Sequence, residues 1–291
     1  MNPPLSRRDF SALTGLAALA AFTGRAGDAK PTPVPRLGMC LDLKRADLIK
    51  TSGGDFLEEG VQSLLVPDED DGAFAKQLEA LKACPLPVPV CNGFIRRKDL
   101  LCVGPAANHD EVIRNVTVSI TRAAKAGVKT IVFGSSGTRR IPAGWDAARA
   151  LDQFVAVLRR MGPIAADHGV VIAVEPLNAK ECNFINRIGD VAAAVKGAGH
   201  PAIRGVADLY HMILGGDTPD DLRAAMEAVH HVEIADPTRN RALPAPGGQD
   251  FRGFFRVLRE AGFAGTLSME GHWDNPDVPV AFAEIRRQWA G

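Results

Sequence analysis

Short apolar runs alternate along most of the chain with longer segments whose apolar residues recur at helical spacing. The clearest run, Gly169-Val-Val-Ile-Ala-Val-Glu175, is mostly β-branched, which is typical of a strand buried on both faces. The segment 70–83 instead carries acids in its first turn and apolar residues at helical spacing, among them Phe74 and Leu78. This alternation of strand and helix patterns predicts an α/β fold with a parallel sheet.

Eight strands and eight helices are predicted after the first 30 residues. The strands are expected at residues 36–43, 61–66, 87–92, 129–133, 169–175, 204–208, 231–236 and 265–270. The helices are expected at residues 45–51, 70–83, 109–126, 145–168, 190–198, 218–228, 251–261 and 278–289. A (β/α)8 TIM barrel is the simplest closure of eight such units. A doubly wound open sheet is the alternative, but no Gly-x-Gly-x-x-Gly follows the first strand.

Composition is that of an ordinary globular protein with one large domain. Of the 291 residues, 46% are hydrophobic and 23% charged, and the 34 basic residues balance the 34 acidic ones. A neutral chain without a basic run argues against nucleic acid or an anionic membrane as the main partner. The five cysteines include no Cys-x-x-Cys pair, so buried free thiols are expected rather than a thiolate metal cluster.

The first 29 residues have the pattern of a twin-arginine export signal. Arg7 and Arg8 precede an apolar stretch at residues 12–22, and a region of small residues follows. That stretch is too short to span a bilayer comfortably, so no stable membrane anchor is expected after cleavage. We therefore expect a signal at residues 1–29, a catalytic barrel at residues 30–291, and a periplasmic or exported location.

Four successive strands end in an acid. These acids are Glu175, Asp208, Glu233 and Glu270. The carboxyl ends of barrel strands form one face, so the four side chains are expected to converge there and to repel one another without a cation. Oxygen-only ligation favours a hard ion, so one Mn²⁺ or Mg²⁺ is predicted, with Co²⁺ as a further option.

The motifs around these acids resemble the sugar isomerase/epimerase superfamily, which includes D-tagatose 3-epimerase, hydroxypyruvate isomerase and inosose dehydratase. The resemblance is carried by Glu175-Pro-Leu-Asn178 with Glu181, Asp208-Leu-Tyr-His211, His231-Val-Glu233 with Arg239, and Glu270. It implies a xylose isomerase-like TIM barrel and a small carbohydrate substrate.

Residue by residue, the resemblance makes Glu175, Asp208 and Glu270 metal ligands, and Glu175 and Glu270 also the acid/base pair. Glu181, His211 and Arg239 match residues that bind the substrate's oxygens. Position 233 departs from the pattern, because the epimerases have histidine there and the hydroxypyruvate isomerases glutamine. An alternative alignment to the superfamily would make His231 the ligand in place of Glu233.

The expected activity is isomerisation or epimerisation of a sugar or small hydroxy-carbonyl compound through an enediolate. Ions of this kind acidify a C–H beside a carbonyl, and a carboxylate then removes the proton. The same groups serve a lyase or dehydratase acting on a keto-sugar or keto-inositol, which is the runner-up. An exported sugar-binding protein is the non-enzyme alternative. Phosphodiester cleavage is disfavoured, because few histidines lie at strand ends. The oligomeric state, monomer or homo-oligomer, stays open.

Overall fold

Eight parallel strands close into a barrel in chain order, β1 to β8, in the computed structural model, which describes residues 33–291. Each strand pairs with its neighbours in sequence, and β8 pairs with β1. The strands are β1 (Arg36–Cys40), β2 (Phe56–Gly60), β3 (Val90–Asn92), β4 (Thr130–Phe133), β5 (Val171–Val174), β6 (Ile203–Asp208), β7 (Val229–Ile234) and β8 (Thr266–Met269). The predicted TIM barrel is therefore confirmed.

Helices follow the strands and cover the outside of the barrel. They are α1 (Ala46–Thr51), α2 (Val61–Leu64), α3 (Asp71–Lys82), α4 (His109–Ala126), α5 (Ser136–Arg139), α6 (Ala147–Asp167), α7 (Ile188–Ala198), α8 (Leu209–Gly215), α9 (Pro219–Ala225), α10 (Arg252–Glu260) and α11 (Asp277–Ala290). None of the helices within residues 33–291 is long and apolar enough to cross a bilayer. The twin-arginine signal predicted at residues 1–29 lies outside the described residues.

The second strand is not where the sequence pattern placed it. Residues 61–66 were expected to form a strand, but Val61–Leu64 is a helical turn, and β2 is the preceding Phe56–Gly60. The sequence Phe-Leu-Glu-Glu-Gly looks half-polar, yet Glu58 is completely buried in β2. Because β2 begins at Phe56, Glu58 lies inside the barrel next to the predicted site.

Two apolar clusters separate the inside of the barrel from its outer layer. The larger one lies between the strands and the surrounding helices. The smaller one takes one residue from each of β2 to β6: Phe56, Val90, Val132, Ala173 and Val206. Because side chains alternate along a strand, this smaller set fills the barrel interior. The residues two positions later lie nearer the carboxyl end of the barrel, and four of these five are polar: Glu58, Asn92, Glu175 and Asp208.

Candidate metal centre and substrate cavity

The four acids predicted at the strand ends lie together. Glu175, Asp208, Glu233 and Glu270 each offer one carboxylate oxygen, and these four oxygens lie within 4.8 Å of one another. The register explains the convergence on one side, since Asp208 of β6 is the direct neighbour of Glu233 of β7. Such spacing is compatible with four ligands around one divalent ion, whose oxygen ligands lie at about 2.0–2.1 Å for Mg²⁺.

The four acids occupy two levels. Asp208 and Glu233 are 1% exposed, whereas Glu175 and Glu270 line a cavity of about 390 Å³ at the carboxyl end of the barrel. Both oxygens of Glu233 are buried and receive no hydrogen bond from any described residue. Unpaired buried carboxylate oxygens are costly unless a cation binds them, so this donor set fits a metal ion.

His211 is completely buried beside these acids, at the start of α8. Its Nδ1 accepts the backbone N–H of Asn178 at 3.1 Å, so the neutral ring carries its proton on Nε2. Nε2 lies 3.6 Å from Glu175 Oε1 and 3.7 Å from Asp208 Oδ2. Desolvation lowers the pKa of His211 to about 4, so at neutral pH this residue is an uncharged N–H donor at the cavity wall.

The guanidinium that contacts the cavity acids belongs to Arg241. It contacts Glu270 Oε2 and lies 3.3 Å from Glu181 Oε1, and it packs over the ring of Tyr210 at 4.8 Å. Arg239 had been expected in this role, but it is exposed in the turn Pro237–Arg239 and does not line the cavity. The buried Asp236 fixes this turn, because its backbone oxygen accepts the N–H of Arg241 at 3.0 Å. Glu181 lines the cavity as expected, held by Asn178 Nδ2 at 2.9 Å.

Gly134, the residue after β4, gives Glu175 its space. A Cβ at this position would stand 2.1 Å from Glu175 Oε2, closer than any real contact. The absence of a side chain at residue 134 therefore lets the Glu175 carboxylate lie against the β4 backbone and point toward the other three acids.

A family described as xylose isomerase-like TIM barrel matches residues 46–289. The chain belongs to this family.

Named relatives of this xylose isomerase-like chain are sugar epimerases and isomerases. It is 30% identical over 134 residues to 2-oxo-tetronate isomerase of Cupriavidus necator, a match that covers 45% of this chain and 51% of the relative. It is 29% identical over 128 residues to 3-dehydro-D-guloside 4-epimerase of Escherichia coli, covering 44% and 48%. The matches thus span about half the length of these curated relatives.

A solved structure agrees with the family fold. The apo form of 3-keto-D-glucoside 4-epimerase from E. coli superposes with a TM-score of 0.71 at 22% identity. The superposition covers 87% of this chain and 100% of the other. At this identity the likeness establishes the shared barrel and nothing about the substrate.

This member of the xylose isomerase-like family has a second buried polar group that the sequence analysis missed. Glu58 of β2 accepts a hydrogen bond from His231 Nε2 at 3.1 Å, and His231 Nδ1 lies 2.8 Å from Thr266 Oγ1. Both ring nitrogens of His231, the alternative ligand, are therefore engaged. The signal for Glu58 was present in the sequence: an acid follows the apolar pair Phe56-Leu57, as at the other strand ends.

Burial controls the charges of the site. Desolvation, followed by the charges of neighbouring acids, raises the pKa of Glu175 and Glu233. Desolvation also raises the pKa of Asp208 to about 6 and that of Glu270 to about 7, although Arg241 opposes the shift at Glu270. Burial acts in the same direction on Glu58, but the hydrogen bond and charge of His231 outweigh it and lower its pKa. Without a cation, the carboxylates therefore resist becoming charged together.

Arg139 is a buried cation beneath Glu175. It follows β4, where a solvated arginine pair would be the ordinary expectation, yet it is fully buried and its NH2 group donates to the Glu175 carbonyl at 2.7 Å. Its remaining N–H groups have no hydrogen-bond partner among the described residues. Desolvation lowers the pKa of Arg139. Its positive charge partly offsets the negative charge of the site above.

Proposed function

We propose that the protein is a divalent-metal-dependent isomerase or epimerase that acts on a sugar or small hydroxy-carbonyl compound through an enediolate. The observation that carries the proposal is the two-level arrangement of the four acids. All four converge within 4.8 Å, but only Glu175 and Glu270 also line the cavity. The names of the relatives, an isomerase and epimerases of small sugars and sugar acids, support the same class of reaction.

The proposed ligands are Glu175, Asp208, Glu233 and Glu270, with Mn²⁺ or Mg²⁺ favoured because every donor is oxygen. When bound, such an ion supplies Lewis acidity that polarises a substrate carbonyl and acidifies the neighbouring C–H. Asp208 and Glu233, below the cavity, then serve binding alone.

Glu175 and Glu270 are the proposed acid/base pair, because they are the two carboxylates that a substrate can touch. They come from β5 and β8, so they approach the cavity from different sides of the barrel end. One removes the proton beside the carbonyl and the other returns it. Return to the same carbon gives epimerisation, and return to the adjacent carbon gives isomerisation.

The remaining cavity residues bind and orient the substrate in this proposal. The Nε2–H of His211 donates to a substrate oxygen, and the guanidinium of Arg241 and the carboxylate of Glu181 hold further hydroxyl groups. Arg241 also fixes the Glu270 carboxylate through their ion pair. The electrostatic field of Arg241 stabilises negative charge that develops on the substrate.

Metal analysis followed by solvent deuterium exchange tests the proposal. The metal-loaded protein is incubated in deuterated water with a panel of ketoses, keto-inositols and 3-keto-glycosides. An isomerase or epimerase incorporates deuterium without losing water or a glycone, whereas the lyase alternative produces a smaller product. Glu270→Gln should abolish exchange, since an acid/base group contributes about 10²–10⁴-fold in rate. Glu79→Gln, on the outer surface in α3, is the matched control.

Binding measurements separate the ion from the chemistry. Asp208→Asn should weaken Mn²⁺ binding, because it removes a charged ligand that does not line the cavity. A protein that binds no divalent ion under any loading condition would refute the metal proposal. Ion binding and sugar binding without exchange would instead support the non-enzyme alternative.

We also propose that the first 29 residues direct export through the twin-arginine pathway. The pair Arg7-Arg8 ahead of an apolar stretch supports this. Replacing both arginines with lysine should hold the precursor in the cytoplasm, as measured by fractionation. Appearance of the mature form outside the inner membrane at an unchanged rate would contradict it.

A further inference from the structure

A second group of metal-binding side chains adjoins the first and shares Glu233 with it. Cys40 Sγ and carboxylate oxygens of Glu58 and Glu233 lie within 4.8 Å of one another. Cys40 ends β1, and its register partner on β2 is Glu58. The group therefore stands at the carboxyl end of β1, β2 and β7, where it continues the arc of acids that β5 to β8 supply.

The buried oxygens in this group lack partners. Glu58 Oε1 and both oxygens of Glu233 receive no hydrogen bond from any residue of the described chain, and the two side chains are 0% and 1% exposed. One ion among the four strand-end acids could bind one or both oxygens of Glu233. Glu58 Oε1 would still be left without a partner, so one ion does not satisfy the whole cluster.

His231 prepares Glu58 for a further ligand without occupying the space itself. Its Nε2–H donates to Glu58 Oε2, and Nδ1 lies against the Thr266 hydroxyl. A carboxylate held through one oxygen presents the other in a fixed direction, which is how outer hydrogen bonds orient metal ligands. His231 has no nitrogen left to bind a metal, so the available donors are one sulfur and the carboxylate oxygens.

The charges lead to the same conclusion. Five carboxylates, those of Glu58, Glu175, Asp208, Glu233 and Glu270, lie in the two overlapping groups. Of the two nearby arginines, Arg241 pairs with Glu270 and Glu181 and Arg139 bonds the Glu175 carbonyl, and neither donates a hydrogen bond to Glu58 Oε1 or to Glu233. One divalent ion offsets two of these negative charges, and a second ion offsets one more in addition to the charge of the Cys40 thiolate that it binds.

We infer that Cys40, Glu58 and Glu233 form a second divalent-cation site, with Glu233 bridging it to the first. The inference rests on the proposed function, because the bridge requires an ion among the four strand-end acids. Its donor set is softer than the first, with a thiolate beside two carboxylates, and therefore selects Zn²⁺ or Co²⁺ over Mg²⁺. Binding releases the Cys40 thiol proton, as thiolate ligation requires. Carboxylate-bridged ions in proteins lie about 3.5–4 Å apart.

Stoichiometry and sulfur spectroscopy test this site independently of activity. The metal-free full chain is loaded with Co²⁺, its bound metal is counted by mass spectrometry, and the sulfur-to-cobalt charge-transfer absorption is recorded. We expect two ions per chain and a charge-transfer band in the wild type. Cys40→Ser should abolish the band and keep one ion. Cys84→Ser, which changes a thiol ahead of β3 at the opposite end of the barrel, should keep both ions and the band.

Glu58→Gln provides the second arm, because it keeps a hydrogen-bond acceptor for His231 while removing the charge of the ligand. It should also retain one ion. A wild type that binds one ion without a thiolate band would overturn the inference and leave the proposed function intact; Glu58 and Glu233 would then share a proton. Two ions in both Cys40→Ser and Glu58→Gln would overturn it as well. A wild type that binds no ion would overturn both proposals.

Discussion

Substitution of Gly134 by alanine tests the way β4 shapes the proposed metal centre. The added Cβ would stand 2.1 Å from Glu175 Oε2, and ordinary contact begins near 3.4 Å. The carboxylate oxygen must therefore move by the difference, about 1.3 Å. The Glu175 backbone cannot move easily with the side chain. Its N–H donates a hydrogen bond to the Phe133 carbonyl, and its own carbonyl accepts one from the Arg139 guanidinium. The carboxylate has to rotate away from the other three acids instead.

The expected cost of this rotation is large for the site and moderate for the fold. Disturbing the support of a metal ligand typically costs about 10–100-fold in affinity, and overpacking costs about 1–3 kcal/mol in stability. Mn²⁺ affinity is measured by calorimetry, with thermal unfolding of the metal-free protein recorded in parallel. Gly189→Ala in α7 is the control, because a Cβ there meets nothing within 4 Å.

A double substitution tests the cause of the Gly134→Ala effect. Glu175→Asp withdraws the carboxylate by one methylene, so adding it to Gly134→Ala should cost less than it does in the wild type. The two changes would then couple favourably, as contacting residues do in a double-mutant cycle. Wild-type Mn²⁺ affinity in Gly134→Ala, or strictly additive losses in the double variant, would refute the steric argument.

Three further predictions follow from the charges of the site. First, protons held by Asp208 and Glu270 should stabilise the metal-free protein at about pH 4, and this contribution should be lost as pH rises to about 7. The pKa values of Asp208 and Glu270 are raised to about 6 and about 7, so the folded state holds protons that the unfolded state has released. The lowered pKa values of His211 and His230 act in the opposite sense over this range, so thermal unfolding of the metal-free wild type is compared with that of metal-free Glu270→Gln. The wild type should lose stability relative to the variant as pH rises, and a constant difference would argue against the prediction. Second, the Glu233→His variant should still bind metal, but its preference should shift toward Co²⁺ or Zn²⁺, because nitrogen is a softer donor than oxygen. If metal-competition measurements show unchanged preference and affinity, Glu233 is not a ligand. Third, Arg241→Ala should reduce kcat/KM by roughly tenfold to a hundredfold, which corresponds to the loss of a charge-assisted hydrogen bond of about 1.5–3 kcal/mol. Arg239→Ala should leave kcat/KM unchanged. A larger loss in Arg239→Ala than in Arg241→Ala would restore Arg239 to the site.

The barrel and the convergence of the four acids were predictable because their signals are local and repeated. An apolar β-branched run that ends in an acid appears at Glu175, Asp208 and Glu270, and parallel strands bring such ends to one face. The family resemblance added roles to these positions. The roles of ion ligand and acid/base pair remain proposals.

The second strand and the cavity arginine were harder for physical reasons. Glu58 lies inside a strand, and its burial depends on His231, which is 173 residues away in sequence. No local sequence pattern indicates the hydrogen bond between these two residues. The mostly apolar segment 61–66 therefore matched a strand pattern better than residues 56–60 did. Arg241 and Arg239 differ by two positions in an irregular loop, where Asp236 and the left-handed backbone at Asn240 and Arg241 decide which guanidinium turns inward.

The distribution of the proposed ligands over β5, β6, β7 and β8 confines them to four consecutive strands of the sheet. Glu270 follows β8, which pairs with β7 on one side and with β1 on the other, so the four ligands do not span the junction at which the barrel closes. An ion bound to this set would hold β5 to β8 together, and it would favour the folded form in proportion to the logarithm of its concentration over Kd. Closure of the barrel between β8 and β1 would instead depend on the backbone pairing of residues 36–39 with residues 266–269.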